Sequence, residues 1–333
     1  MLKFGYLMGF RNPPELSKQS DADFYAAMFE QIEYLDRAGF ETIWTTEHHF
    51  TDDGYLSASM PMLAAMAART KRIKAGSFVI LGPFYHPLRL AEDAALIDVI
   101  SGGRLRLGIG VGYRQEEFDI LQVPRKQRLG RTLELIEIMK QAWKGERFDF
   151  QGKYFQFKGA RVLPKPVSAR GPEILWGGMA PESIERSARL DLGFACNLGN
   201  AEIKRYHEAL RKLGKDPANY SVVNMRQVYV ADTEAQAWEE IAPGLIYQME
   251  LYGKWLDQGG IDTGGRYSPD AEALRKGSIL GPPARVIEQL REFAAKTPAT
   301  ELVLAMQQPG LDPAKAMRSL RRFVEEVMPA LKR

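Results

Sequence analysis

Gly39-Phe40-Glu41-Thr42-Ile43-Trp44-Thr45-Thr46-Glu47-His48-His49-Phe50 is the stretch whose reading decides the fold. Gly39 supplies a helix stop, Thr42–Thr46 is a β-branched and aromatic strand, and an acid with two imidazoles follows at its end. Just before it, Ser20-Asp21-Ala22-Asp23 has the form of a capping box, and Phe24, Met28, Ile32 and Leu35 recur at helical spacing. Earlier still, Leu2–Met8 is a short apolar strand ending in the loop Gly9-Phe10-Arg11-Asn12-Pro13-Pro14. Downstream, a helix runs from Pro61 to Arg69 with Ser59 as its cap. The order is βαβα, the opening of a parallel α/β sheet.

The alternation continues along the chain. Strand Ile73–Leu81 precedes a helix from Pro87 to Gly102, and strand Arg104–Gly110 precedes a helix through Leu129, Leu133, Ile136, Met139 and Trp143. Ile174–Gly177 is followed by a helix from Pro181, Phe194–Asn197 by one over Glu202–Leu213, and Val222–Ala231 by one from Thr233. Glu301–Ala305 and the helix Pro313–Leu331 close the series. Eight strand signals, each with a helix after it, predict an α/β fold, a (β/α)8 TIM barrel with insertions, as a single domain over residues 1–333. The first insertion is Glu146–Lys165, read as a β-hairpin from its aromatic run around Gly152-Lys153. The second, Gly259–Pro283, is glycine-rich without core periodicity and reads as a mobile loop or lid.

Composition bounds the function. With 45% hydrophobic and 26% charged residues, the 333-residue chain is globular, neither disordered nor fibrous. Its net charge of +3 argues against nucleic acid or a membrane surface as partner. The single Cys196 excludes an intrachain disulfide, and four histidines leave little material for a metal cage. A reducing, cytoplasmic setting fits. The N-terminus lacks a signal-peptide pattern, and no apolar run approaches the length of a membrane span.

In such a barrel the chemistry sits at the C-terminal strand ends. Glu47-His48-His49 stands at one of them; a zinc site would need a third ligand at recognisable spacing, and none follows. Neighbouring side chains on extended backbone face opposite ways, so one histidine can face the mouth while the other packs; functional and structural readings stand equal. Gly108-Ile109-Gly110-Val111-Gly112 fails as a dinucleotide fingerprint, because Tyr113 or Gln115 occupies the third glycine's place. A tight turn is its plain reading; a notch admitting a planar ring is the functional one. Trp176-Gly177-Gly178-Met179-Ala180-Pro181-Glu182-Ser183 is either an ordinary strand-to-helix turn or an anion site at a helix N-terminus. Gly76-Ser77-Phe78 is an odd choice inside a packed strand and suggests a bulge or a close ligand approach, although barrel packing also accounts for it. His86 reads as a helix cap, Glu116-Glu117-Phe118-Asp119 as a solvated helix face, and Phe10, Phe84, Tyr85 and Trp176 as packing or an apolar substrate pocket.

Taken together, these residues resemble the luciferase-like flavin monooxygenases, the α subunit of bacterial luciferase among them. The likeness is carried by Lys3-Phe4-Gly5 with Asn12-Pro13-Pro14, by Gly39–Trp44, by Glu47-His48-His49-Phe50-Thr51, by His86-Pro87-Leu88-Arg89-Leu90-Ala91-Glu92-Asp93 and by Gly102–Gly108. It implies a barrel that takes reduced FMN at its mouth as a cosubstrate, supplied by a separate NAD(P)H:flavin reductase. Oxygen would react at the flavin C4a carbon to give a hydroperoxide that oxygenates a small, apolar organic substrate. His48 matches the family's catalytic histidine and Glu47 a residue near the flavin. Ser77–Phe78 matches a cis peptide beneath the ring, and Gly177, Gly178, Met179, Ala180 and Ser183 match the surroundings of the phosphate. Gly110 and Val111 stand where luciferase has a reactive cysteine and a phosphate-binding arginine, which leaves the phosphate to Arg114 or to the helix start after Gly178. That departure keeps an F420-dependent hydride-transfer enzyme open as an alternative, as is a non-catalytic flavin-binding partner subunit. A homodimer is expected; light emission is not implied.

Overall fold

The computed structural model describes residues 3–197, 199–261 and 264–331; Leu2, at the start of the expected first strand, lies outside them. The chain runs β1 (Lys3–Leu7), α1 (Asp21–Ala38), β2 (Thr42–Thr45), α2 (Ser59–Arg69), β3 (Lys74–Leu81), α3 (Pro87–Ser101), β4 (Leu105–Gly110), α4 (Gln115–Ile120) and α5 (Arg128–Ala142). It continues with the hairpin β5 (Phe148–Gln151) and β6 (Gln156–Ala160), then β7 (Glu173–Gly177), α6 (Pro181–Arg189), β8 (Gly193–Cys196), α7 (Asn200–Lys212) and β9 (Val222–Val230). The last elements are α8 (Glu234–Gln258), α9 (Ala271–Gly277), β10 (Ile279–Gly281), α10 (Pro283–Lys296), β11 (Glu301–Ala305) and α11 (Pro313–Arg322).

Eight of the described strands pair in parallel in the order β1-β2-β3-β4-β7-β8-β9-β11, and β11 returns to β1, so the barrel closes without a free edge. β10 is an extra strand on the far half of β9. The helix start at Ser20 is as read: its hydroxyl accepts from the Asp23 amide at 3.2 Å, and Gly39 ends α1 in the left-handed conformation. At α2 the cap falls on Ala58, with Ser59 the first helical residue.

Three features of β3 bear on the site. Trp44 is completely buried inside the barrel, and a Cβ at Gly76 would lie 2.6 Å from its ring; Gly76 is glycine to make room for Trp44, the packing alternative for that pair. The register between β3 and β4 shifts between Ser77 and Ile80, so the expected bulge is present. Within it the cis peptide joins Phe78 to Val79, one bond beyond the expected Ser77–Phe78, while the Ser77 hydroxyl donates to the Gly108 carbonyl at 2.9 Å.

The hairpin insertion has the predicted strands and is pinned to α5, where the Glu134 carboxylate accepts from the amides of Lys153, Tyr154 and Phe155. The Gly259–Pro283 stretch departs from expectation. Residues 262–263 lie outside the description, but the rest carries α9 and β10, with Ile279 and Leu280 buried. Two apolar residues are too short a run to announce a strand; pairing with β9 creates it. Among the described residues, no helix is long and apolar enough to cross a membrane.

Candidate active site

The end of β2 delivers an acid and two imidazoles to the mouth, and each is held differently. Glu47 is buried: one oxygen accepts from the Leu81 amide at 3.0 Å and the other from the Tyr85 hydroxyl at 2.6 Å, which ties β2 to the end of β3. The His49 ring approaches Glu47 at 3.4 Å. Burial opposes charge on that ring, but Glu47 and Glu117 outweigh it, and the imidazole titrates above its ordinary value. Tyr85, pressed by burial and by Glu47, keeps its proton far above the usual tyrosine range.

His48 points the other way, into a closed box. Its Nδ1–H donates to Glu117 Oε1 at 2.9 Å, and the same oxygen accepts from the His49 amide at 2.9 Å. With Nδ1 protonated, Nε2 is an acceptor, and the Tyr113 hydroxyl donates to it at 3.2 Å. The rings of Tyr55, Tyr252 and Trp255 stand 5.0, 5.8 and 4.9 Å away. Arg114 fastens the box from outside: it donates to the carbonyls of His49 and Phe50, pairs with Glu116, and lies 4.7 Å over the Trp255 ring. Arg11, paired with Asp53, stacks on Tyr55 at 4.8 Å behind it.

Glu117 overturns the expectation of a solvated face over residues 116–119. It has no exposed surface, and Phe118 beside it is buried. A six-residue helix between loops carries too few turns for an amphipathic pattern, so only the partner, His48, reveals the role. His86 is likewise no side-chain cap: it precedes α3 with no capping hydrogen bond. Phe10 and Trp176 are packed in the interior, which settles them as core.

Across the mouth, Met179, Ala180 and Pro181 line a cavity of about 470 Å³ with Arg205, Arg266 and Tyr267. Pro181 opens α6, so the positive end of that helix faces this space. Ser183 stands behind Gly178, where a Cβ would strike its hydroxyl, and it accepts from Trp176 Nε1 at 2.8 Å. Gly110 and Gly177 form no open notch. A Cβ at either would fall 2.6 or 2.7 Å from Val79, so these glycines accommodate the β3 side chain. Val111 packs against the core. Ser77 is buried, whereas Phe78 and Val79 are half-buried beside Leu7 and Met225 as an apolar barrel floor.

One signal was missed in the sequence. Arg125, Lys126 and Arg128 cluster at the start of α5, the wrong sign for a helix N-terminus. Burial and the like charge of Arg125 depress the Arg128 guanidinium. An apolar floor for a ring, with guanidinium groups and helix amides for a phosphate, suits the donor requirements of FMN. Among the described residues no cluster of His, Cys, Asp and Glu could hold a metal ion.

Comparison with known proteins identifies the family and the fold. The model of the luciferase-like monooxygenase family matches residues 2–301. A flavin-dependent trigonelline monooxygenase, oxygenase component, from Acinetobacter baylyi is 29% identical, over 94% of this chain and 91% of that one. Among solved structures, a monooxygenase from Streptomyces bottropensis superposes with a TM-score of 0.85 at 24% identity, covering 99% of this chain and 100% of that one. The oxygenating constituent of 3,6-diketocamphane monooxygenase from Pseudomonas putida, solved with FMN, gives 0.82 at 22% identity and 98% of each chain. These two likenesses establish the same fold. The chain is thus an oxidoreductase on a TIM barrel, and it belongs to the luciferase-like monooxygenase family.

Proposed function

We propose that this chain is the oxygenase component of a two-component system in the cytoplasm. It uses reduced FMN from a separate NAD(P)H:flavin reductase, together with O₂, to oxygenate a small, apolar organic substrate. The observation that carries the reading is the Glu117–His48–Tyr113 chain at the end of β2, buried in a barrel of this family. The flavin, when bound, supplies the electrons and the carbon at which oxygen is activated.

The chain's own residues do the rest. Phe78, Val79, Leu7 and Met225 offer the ring an apolar floor, and Glu47 holds the ends of β2 and β3 in register beneath it. The start of α6 at Met179 and Ala180, with Arg205 and Arg266 on the same cavity, would hold the phosphate, the role that Val111 cannot take. Glu117 fixes the tautomer of His48, so that Nε2 faces Tyr113 as a proton acceptor. Tyr252, Trp255 and Tyr267 cover the box and exclude water; Tyr267 reaches across to Asn197 at 3.1 Å. A homodimer is supported by Leu96, Val99 and Ile100, exposed apolar residues at helical spacing on α3.

Anaerobic titration with FMNH₂ and with F420H₂, followed by admission of oxygen, tests the reading. Tight binding of FMNH₂ and oxygen consumption are expected. Binding of F420H₂ alone would make the chain a hydride-transfer enzyme, and flavin binding without turnover a silent partner subunit.

A further inference from the structure

The His48 imidazole has no open approach. Glu117 takes Nδ1, Tyr113 takes Nε2, and Tyr55, Tyr252 and Trp255 surround the ring, which leaves the side chain 6% exposed. A group that exchanges a proton with a ligand must reach it. Tyr113 is better placed: it follows β4 at the mouth, is half-buried, and shares its surroundings with Tyr55 and Tyr267, the latter lining the cavity beside α6. Tyr252 lacks that freedom, since its hydroxyl is bound to that of Tyr55 at 2.6 Å.

We propose that Tyr113 is the catalytic residue that passes a proton to the reacting oxygen, with His48 the relay and positioning residue behind it. The proposal rests on the reading of this chain as a reduced-flavin monooxygenase. At rest the Tyr113 hydroxyl donates to Nε2 of His48. Once His48 takes up a proton from solvent, the bond reverses and Nε2–H donates to the Tyr113 oxygen. In the transfer, the Tyr113 O–H bond breaks and its proton joins one oxygen atom of O₂ as the reduced flavin anion gives O₂ two electrons. The Nε2–H bond of the imidazolium breaks in turn and restores the hydroxyl. One proton thus moves from His48 to that oxygen, and both electrons come from the reduced flavin. Glu117 carries the opposite charge while His48 is protonated. Burial foremost, then the nearby Tyr55, Tyr267 and Glu117, keep the Tyr113 hydroxyl protonated well above the ordinary range, so it serves as a donor and not as a phenolate.

Three variants test this: Tyr113→Phe, which keeps the ring; His48→Gln; and the two combined. The chain has only four histidines, so ¹⁵N NMR of labelled imidazoles resolves His48 in the protein without flavin. Tyr113→Phe should shift the Nε2 resonance; an unchanged spectrum overturns the contact and the proposal with it. Reoxidation of bound FMNH₂ by O₂, followed by stopped flow, should slow by about 10²-fold in each single variant, and the double variant should be no slower. A normal rate in Tyr113→Phe beside a slow one in His48→Gln assigns the direct role to His48 and overturns the proposal, while the flavin reading stands. Failure of the parent protein to bind FMNH₂ would instead remove that reading.

Discussion

At the N-terminal end of the barrel, Arg106 lies between Glu173 and Glu301, donates to Thr42 at 2.9 Å, and stacks 4.7 Å over Trp44, whose Nε1 donates to Glu301 at 2.8 Å. At the C-terminal end, Glu117, His48, Arg114 and Arg11 are also buried. The two ends differ in how completely the buried groups are partnered. None of Arg106, Glu173 and Glu301 keeps a buried polar atom without a partner, whereas Glu117 Oε2, Arg114 Nε and Arg11 Nη1 do. A satisfied network fixes a fold; an unsatisfied one stays at a cost that selection tolerates where chemistry is done. Charge burial alone therefore does not mark an active site.

Substitutions at the two ends should break in different ways. His48→Ala is expected to lower turnover by about 10²–10⁴-fold with flavin affinity nearly unchanged; turnover at the parent level would remove the catalytic reading of the mouth. Glu301→Ala leaves Arg106 with Glu173 alone and the buried Trp44 indole without its acceptor, and urea unfolding should report a loss of about 3–5 kcal/mol. Gly110→Ala drives a Cβ into Val79 and should destabilise by about 1–3 kcal/mol in the same assay, since Gly110 serves packing. Ser183→Ala removes the partner of a buried indole, at about 1 kcal/mol.

The subtlest contrast is in pH. Burial works against the Glu173 carboxylate, but Arg106 outweighs it and holds it below the ordinary range. Its stabilisation is therefore present above the unfolded value of about 4.3 and is lost as pH falls through the lowered one. His49 runs in the opposite sense: its raised value gives stabilisation that is complete below about pH 6.5 and is lost as pH rises through it. Thermal unfolding against pH should accordingly show a shallower acid slope in Glu173→Gln and a shallower neutral-range slope in His49→Gln.

Most of the barrel was legible in the sequence because each strand and helix announces itself locally. Ser20 and Gly39 bound α1, and Thr42–Thr45 reads as a strand. The position of Glu47-His48 at a strand end was legible for the same reason. What stayed hidden has partners far along the chain. Glu117 meets His48 from 69 residues away, Val79 fills the place of a side chain at both Gly110 and Gly177, and β10 exists because β9 runs on past its pairing with β11.

The sequence by itself determined the order of elements, the single closed barrel and the imidazole at its mouth, since helical spacing, caps and β-branched runs are properties of neighbouring residues. Only the tertiary structure decided which imidazole faces inward, that Glu117 holds it and that Tyr113 completes the chain. Contacts between separate strand ends depend on barrel closure, which no local pattern encodes.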